Sequence, residues 1–219
     1  MTAITPQVLL KAYTAGIFPM AESAQDPALY WIEPDERGVI PLKGFHVSSS
    51  LRKAVRQQPF EIRIDTAFEA VISACAEKTA TRDVTWINAR ILKLYTQLHK
   101  MGCCHSIESW QDGKLVGGLY GVRIGAAFFG ESMFSRASNA SKIALVHLVA
   151  RLNFGGFKLL DAQFLNSHIA QFGTYTVKKV DYRPVLDEAL DGMADFAAFS
   201  GDGDAEFVLA QAMGKFPQT

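Results

Sequence analysis

Two stretches of this chain combine polar or ionisable residues with an apolar strand-like context. Phe128-Phe129-Gly130-Glu131-Ser132-Met133-Phe134-Ser135 is one, and Leu160-Asp161-Ala162-Gln163, thirty residues on, is the other. A carboxylate inside a core costs several kcal/mol unless it is paired or hydrogen-bonded. Glu131, Asp161 and Gln163 are therefore expected either to satisfy one another or to face a ligand. Residues i and i+2 of a strand share a face, so Asp161 and Gln163 form an acid beside an amide. That pair suits the handling of an amine. Both side chains are expected to face an open cleft, with Asp161 orienting the Gln163 amide. A strand-end acid capping the next helix is the alternative use of Asp161. Ser132 lacks the second glycine of a nucleophile elbow, having Phe134 in its place, and reads as a hydrogen-bonding strand residue.

The elements that must position these groups follow from pattern. Thr5 and Pro6 start a helix that Gly16 ends. Ser48 caps a short helix carrying Arg52, Lys53 and Arg56. Phe60, Ile62 and Ile64 alternate as a strand. Helices are predicted over 67–77 and 88–101. Strands over 104–110 and 114–122 flank an Asp112-Gly113 turn, and a third strand runs over 124–133. A helix over 139–152 breaks at Gly155-Gly156, before a strand over 158–163, a further helix and a short strand over 174–178. The fold class is α/β (α+β) with a mixed central sheet. Residues 1–36 read as a small N-terminal domain, 37–186 as the catalytic domain and 187–219 as a peripheral tail.

Composition sets further bounds. The chain has 219 residues, 49% hydrophobic and 20% charged, with 22 basic against 22 acidic residues. That is an ordinary globular composition, and it argues against nonspecific coating of nucleic acid, so any RNA contact must be local. The start lacks a basic region followed by an apolar core, and no stretch approaches a membrane span. A cytoplasmic location without a membrane partner is expected. Cys75, Cys103 and Cys104 have no ligand-like spacing, and no metal site is expected.

Gly130-Glu131-Ser132-Met133-Phe134-Ser135-Arg136, Asn139-Ala140-Ser141-Lys142 and Asp161-Ala162-Gln163 with Asn166 and His168 resemble the bacterial leucyl/phenylalanyl-tRNA–protein transferases. So do Gly16-Ile17-Phe18-Pro19, Trp31, Pro34-Asp35, Thr85-Trp86-Ile87, His105-Ser106-Ile107-Glu108 and Val116-Gly117-Gly118-Leu119-Tyr120-Gly121. The resemblance is collinear from about Leu9 to Gly173. It implies a GNAT-like acyltransferase fold and transfer of leucine or phenylalanine from aminoacyl-tRNA to proteins beginning with Arg or Lys, which marks them for N-degron degradation. It places Asp161 and Gln163 on the catalytic pair and Glu131 on a substrate-contacting acid. Trp86, Tyr120, Phe128, Phe129, Ser132 and Leu148 are then expected to line the substrate site, the aromatics stacking an adenine or enclosing an apolar side chain together with Trp31. Arg52, Lys53 and Arg56, with no acid until Glu61 in the sequence, are expected to hold tRNA phosphates. Met20 and Leu148 depart from better-known members, in which a Trp and an aromatic stand there. An aminoacyl ester is already activated, so no cofactor or metal is implied. The alternative of an acyl-CoA-dependent N-acyltransferase is disfavoured by the junction 134–141, which has no glycine-rich pyrophosphate cradle. A non-catalytic tRNA- or peptide-binding module is the third reading.

Overall fold

The computed structural model describes residues 4–78, 84–200 and 204–215. Helix α1 (Pro6–Thr14) begins where Thr5 Oγ1 accepts the Val8 N–H at 3.3 Å. A two-stranded ribbon follows, β1 (Phe18–Met20) with β2 (Tyr30–Ile32), and then β3 (Glu36–Val39). Next come α2 (Ser49–Arg56), β4 (Glu61–Ile64), α3 (Phe68–Ala76) and α4 (Ala89–Lys100). Ser48 caps α2, and Asn88 caps α4 by accepting the Ile91 N–H at 2.8 Å. Strands β5 (Cys104–Gln111), β6 (Lys114–Ile124) and β7 (Ala127–Ser135) form an antiparallel meander. The chain continues through α5 (Ala140–Phe154), β8 (Leu159–Gln163), α6 (Ser167–Ala170), β9 (Tyr175–Lys178), α7 (Lys179–Leu190) and α8 (Ala205–Ala212).

Among the described residues, seven strands make one mixed sheet in the order β4-β5-β6-β7-β8-β3-β9, in which only β7 and β8 run parallel. Alternation along the strands divides the core in two. Leu119, Phe128 and Leu160 face α2, α5 and α8, while Tyr120, Phe129 and Leu159 face α1, α3, α4 and α7. The β7–β8 pairing stops at Phe129 opposite Asp161. Beyond it β7 runs on to Ser135, while β8 pairs on its other side with β3. The two parallel strands therefore fork, and the polar residues singled out in the sequence lie at the fork. A meander, a crossover helix and a diverging parallel strand agree with the GNAT-like expectation.

Three expectations change. The tail is not peripheral: Phe196, Phe199, Val208, Leu209 and Ala212 are all buried in the core. The reason lies in α5, whose buried residues go all the way round it, so it needs cover on the side away from the sheet. The tail supplies it, and Arg151 Nη1 and Asn153 Nδ2 fasten it by donating to Phe196 O and Gln211 O at 2.7 and 2.8 Å. Second, β3 was not anticipated, because Glu36-Arg37-Gly38 reads as a polar loop. Third, α7 was not anticipated, because Pro184 lies inside it and proline is a helix breaker. Burial of Tyr182, Leu186 and Ala189 holds this helix in place. Gly201-Asp202-Gly203, within the tail, lies outside the described residues. Cys75 and Cys104 are buried, and Cys103 is half-buried.

Candidate active site

The fork opens into a cleft of about 770 Å³ bordered by Trp86, Tyr120, Glu131, Ser132, Leu148 and His168 among others. Its two walls come from opposite faces of the sheet, which can meet only because β7 and β8 separate.

Glu131 owes its position to a register shift between Tyr120 and Gly121. Tyr120 pairs with Ser132 and Gly121 with Gly130, so Glu131 has no residue opposite it on β6. Such a bulge re-aims a side chain. Glu131 Oε1 accepts from the Tyr13 hydroxyl at 2.6 Å and from Gln163 Nε2 at 3.3 Å, and Oε2 accepts from the Tyr95 hydroxyl at 3.1 Å. The two hydroxyls are 2.5 Å apart. Burial raises the Glu131 carboxyl to about 7, against the opposing pull of the two phenols; Asp161 adds to the rise and Arg37 subtracts from it. Burial also drives Tyr13 and Tyr95 well above the ordinary tyrosine value, so both remain protonated donors.

Asp161 lies in a different setting. It is fully buried, and Arg37, itself 1% exposed, grips it with Nε at 3.0 and 2.9 Å from the two oxygens and Nη2 at 2.8 Å from Oδ2. The Tyr182 hydroxyl donates to Oδ2 at 2.5 Å, and the Gln163 main-chain N–H donates to Oδ1 at 2.7 Å. Asp161 thus borders no cleft, contrary to expectation, and orients Gln163 through its backbone, not through its side-chain amide. Gln163 is also buried at 7% exposure and sits at φ +60°, a conformation that costs a non-glycine residue free energy. The acceptance of its N–H by Asp161 holds it there. Its side chain reaches Glu131 through Nε2, but Gln163, like Asp161, is not among the residues bordering the cleft, contrary to expectation.

The other predicted residues divide. Trp86, Tyr120, Ser132 and Leu148 border the cleft together with Glu131. Phe128 does not: it stacks on Phe196 at 5.7 Å and meets Phe157 edge-on, which is core packing on the far face. Phe129 does not border the cleft either and packs against Tyr13 at 4.9 Å. Trp31 is 40% exposed on the N-terminal ribbon. Of the basic trio, Lys53 is exposed and Arg52 half-buried, while Arg56 is engaged by Glu206, with Nε 2.5 Å from Oε1 and Nη2 3.2 Å from Oε2. The fold brings this acid from 150 residues away, so the trio is not the uncompensated patch that the local sequence indicates.

Sequence reasoning gave no site role to Arg37, Tyr182, Tyr13 or Tyr95. A signal existed for the tyrosines. Each hydroxyl on a buried helical stripe needs a partner, and Glu131 was the obvious buried acceptor.

An amide and a desolvated carboxyl converge on one point at the fork of a mixed sheet, beside an aromatic-lined cleft. With the mixed sheet, this equipment suits an acyltransferase that delivers its acyl group to an amine. Comparison with known proteins narrows the class. Residues 39–187 match the family model for leucyl/phenylalanyl-tRNA protein transferase, and residues 2–35 match that family's N-terminal domain. A leucyl/phenylalanyl-tRNA–protein transferase of Rhodopseudomonas palustris (strain TIE-1) is 58% identical over 91% of this chain and 88% of its own length. That of Paramagnetospirillum magneticum is 51% identical over 96% and 99%, and that of Nitrobacter winogradskyi 56% identical over 91% and 88%. The chain belongs to the leucyl/phenylalanyl-tRNA–protein transferase family.

Proposed function

We propose that this protein moves leucine or phenylalanine from aminoacyl-tRNA to the α-amine of proteins that begin with Arg or Lys, in the cytoplasm, and so marks them for degradation. The observation that carries the mechanism is the meeting of Gln163 and Glu131 at 3.3 Å at the fork. The attacking amine must be held against the ester carbonyl and must lose a proton as the new bond forms. Gln163 Oε1 accepts a hydrogen bond from that amine and aligns it. Glu131, with its carboxyl at about 7, is ionised in a useful fraction near neutrality. It attracts the ammonium form and draws off positive charge as the C–N bond closes. The ester C–O bond then breaks, and the terminal ribose oxygen leaves with a proton. Asp161 touches no reacting atom in this scheme and keeps the Gln163 backbone in place. Ser132, Trp86, Tyr120 and Leu148 surround the aminoacyl end, and Arg52 and Lys53 contact tRNA phosphates.

One structural observation weighs against the acyl-CoA alternative. At the start of α5 the Ala140 N–H goes to Ala137 O at 3.1 Å and the Ser141 N–H to Ser135 Oγ at 3.3 Å. These donors, which would cradle a pyrophosphate, are committed within the chain. The test is a donor panel: leucyl-tRNA, phenylalanyl-tRNA or acetyl-CoA is mixed with peptides starting in Arg, Lys or Glu. Transfer from the charged tRNAs to the Arg and Lys peptides is expected. Acetylation from acetyl-CoA, with none from the tRNAs, would replace this reading by the alternative.

A further inference from the structure

Arg37 is buried on β3, with Nε hydrogen-bonded to both Asp161 oxygens and Nη2 in ion-pair contact with Oδ2 but making no hydrogen bond of its own. Besides gripping Asp161, it donates through Nη1 to the carbonyl of Gly16 at 2.8 Å. Its guanidinium lies between the rings of Phe18 and Tyr182, at 4.8 and 5.0 Å. The two groups it grips lead to the same place. Asp161 holds the Gln163 N–H at 2.7 Å. Gly16 follows the end of α1, three residues after Tyr13. Gln163 Nε2 and the Tyr13 hydroxyl then converge on one oxygen of Glu131.

The surrounding packing leaves this arrangement little slack. Gly38, the next residue on β3, lies so close to the turn after Gln163 that an added Cβ would be 2.7 Å from the Phe164 carbonyl carbon. Burying an arginine with an acid is a poor way to gain stability. Well-packed apolar residues of similar volume are often as good or better, whereas removing one partner alone is strongly destabilising. A function that needs the fork geometry is a better reason for this pair than stability is.

We propose that Arg37 is a positioning residue of the transfer site, which holds the strand end bearing Gln163 and the helix end bearing Tyr13 in the one relation that lets both meet Glu131. The inference rests on the function proposed above. It assigns to the N-terminal part of the chain, from Tyr13 to Arg37, a share in the catalytic geometry.

Three variants assayed beside the wild type test it. Arg37→Ala should lower kcat about 10²-fold, the size expected when reacting groups are misplaced by about an ångström, with KM for leucyl-tRNA and for the Arg peptide nearly unchanged. Ethylguanidinium in the buffer should restore at least about a tenth of the lost rate, and ethylammonium should not, because only the planar fork fits both carboxylate oxygens. A route for the additive exists: a pocket of about 830 Å³ reaches Gly16, Arg37 and Tyr182 from the surface. Should Arg37→Ala fold poorly, the double variant Arg37→Met with Asp161→Asn decides the matter, because it buries no charge. It should be as stable as wild type yet slow. Tyr182→Phe, which keeps the ion pair and removes one donor to Asp161, should lose only severalfold in kcat. Wild-type transfer from leucyl-tRNA separates the two readings, since its absence would overturn the function itself. Wild-type transfer together with an undiminished kcat in the double variant, or a rescue that restores the melting temperature but not kcat, would overturn the role of Arg37.

Discussion

Two carboxylates on neighbouring strands, Asp161 fully buried and Glu131 half-buried at the cleft, are treated in opposite ways. Asp161 is enclosed by a guanidinium, a phenol and a main-chain N–H. Glu131 is met by two phenols and one amide, and burial raises its carboxyl to about 7. The difference teaches what each is for. A carboxylate gripped by arginine keeps its place, which suits it to hold something still. A carboxyl whose partners are neutral is left near the midpoint of its titration, which suits it to exchange protons.

The comparison can be broken first at Asp161. Asp161→Ala leaves a buried guanidinium without its acid, so it should destabilise the fold by about 3–5 kcal/mol, read as a fall in urea midpoint with little change in slope. A stability loss below about 1 kcal/mol would mean that the pair contributes no more than an exposed one does.

Gln163→Ala should be the complementary case. It removes a neutral group, so the melting curve should move little, while single-turnover transfer falls by about 10²-fold or more. A folded variant with wild-type rate would take Gln163 out of the mechanism.

Glu131 sharpens the contrast through pH. Its carboxyl titrates near 7 in the folded protein against 4.5 in the ordinary case. Between those values the folded state keeps a proton that the unfolded chain has released, so stability falls as pH rises through that window. The loss from this group should be on the order of 2–3 kcal/mol, measured by urea titrations at pH 5 and pH 8. Glu131→Gln should flatten the dependence, and an unchanged slope in that variant would place the titration elsewhere.

The smallest effect concerns a third carboxylate, Glu206, which is exposed and paired with Arg56. Glu206→Gln should leave stability unchanged within error, as for most surface pairs. It should free Arg56 for phosphate and steepen the plot of log tRNA affinity against log salt by about 0.7–0.9. An unaltered slope would separate α2 from the tRNA site.

The sequence carried the meander, the crossover helix and the polar residues of the fork, because alternation, the Asp112-Gly113 turn and local caps are written within a few residues of where they act. What it did not carry is contact at a distance. Arg37 lies 124 positions before Asp161, and Arg56 lies 150 positions before Glu206. An arginine between an acid and a glycine looks like solvent-facing loop until the sheet closes around it. Strand alternation does not carry through to Gln163, which leaves the extended conformation at φ +60°. Which face met the cleft depended on the fork between β7 and β8, and no local pattern marks a fork. The tail was underestimated for a related reason: its apolar residues are scattered, and their value appears only once α5 is seen to need cover.

The claim at the centre of the account is that Glu131 takes up the proton the attacking amine must lose. The most direct test is the single-turnover rate of transfer from leucyl-tRNA to an Arg-initiated peptide, measured from pH 5.5 to 9 in wild type and in Glu131→Gln. The wild-type rate should rise with a midpoint near 7, followed by the rise from the peptide α-amine itself at about 7.7–8. The variant should be slower throughout and retain only the second rise. A limb near 7 that persists unchanged in Glu131→Gln would contradict the account.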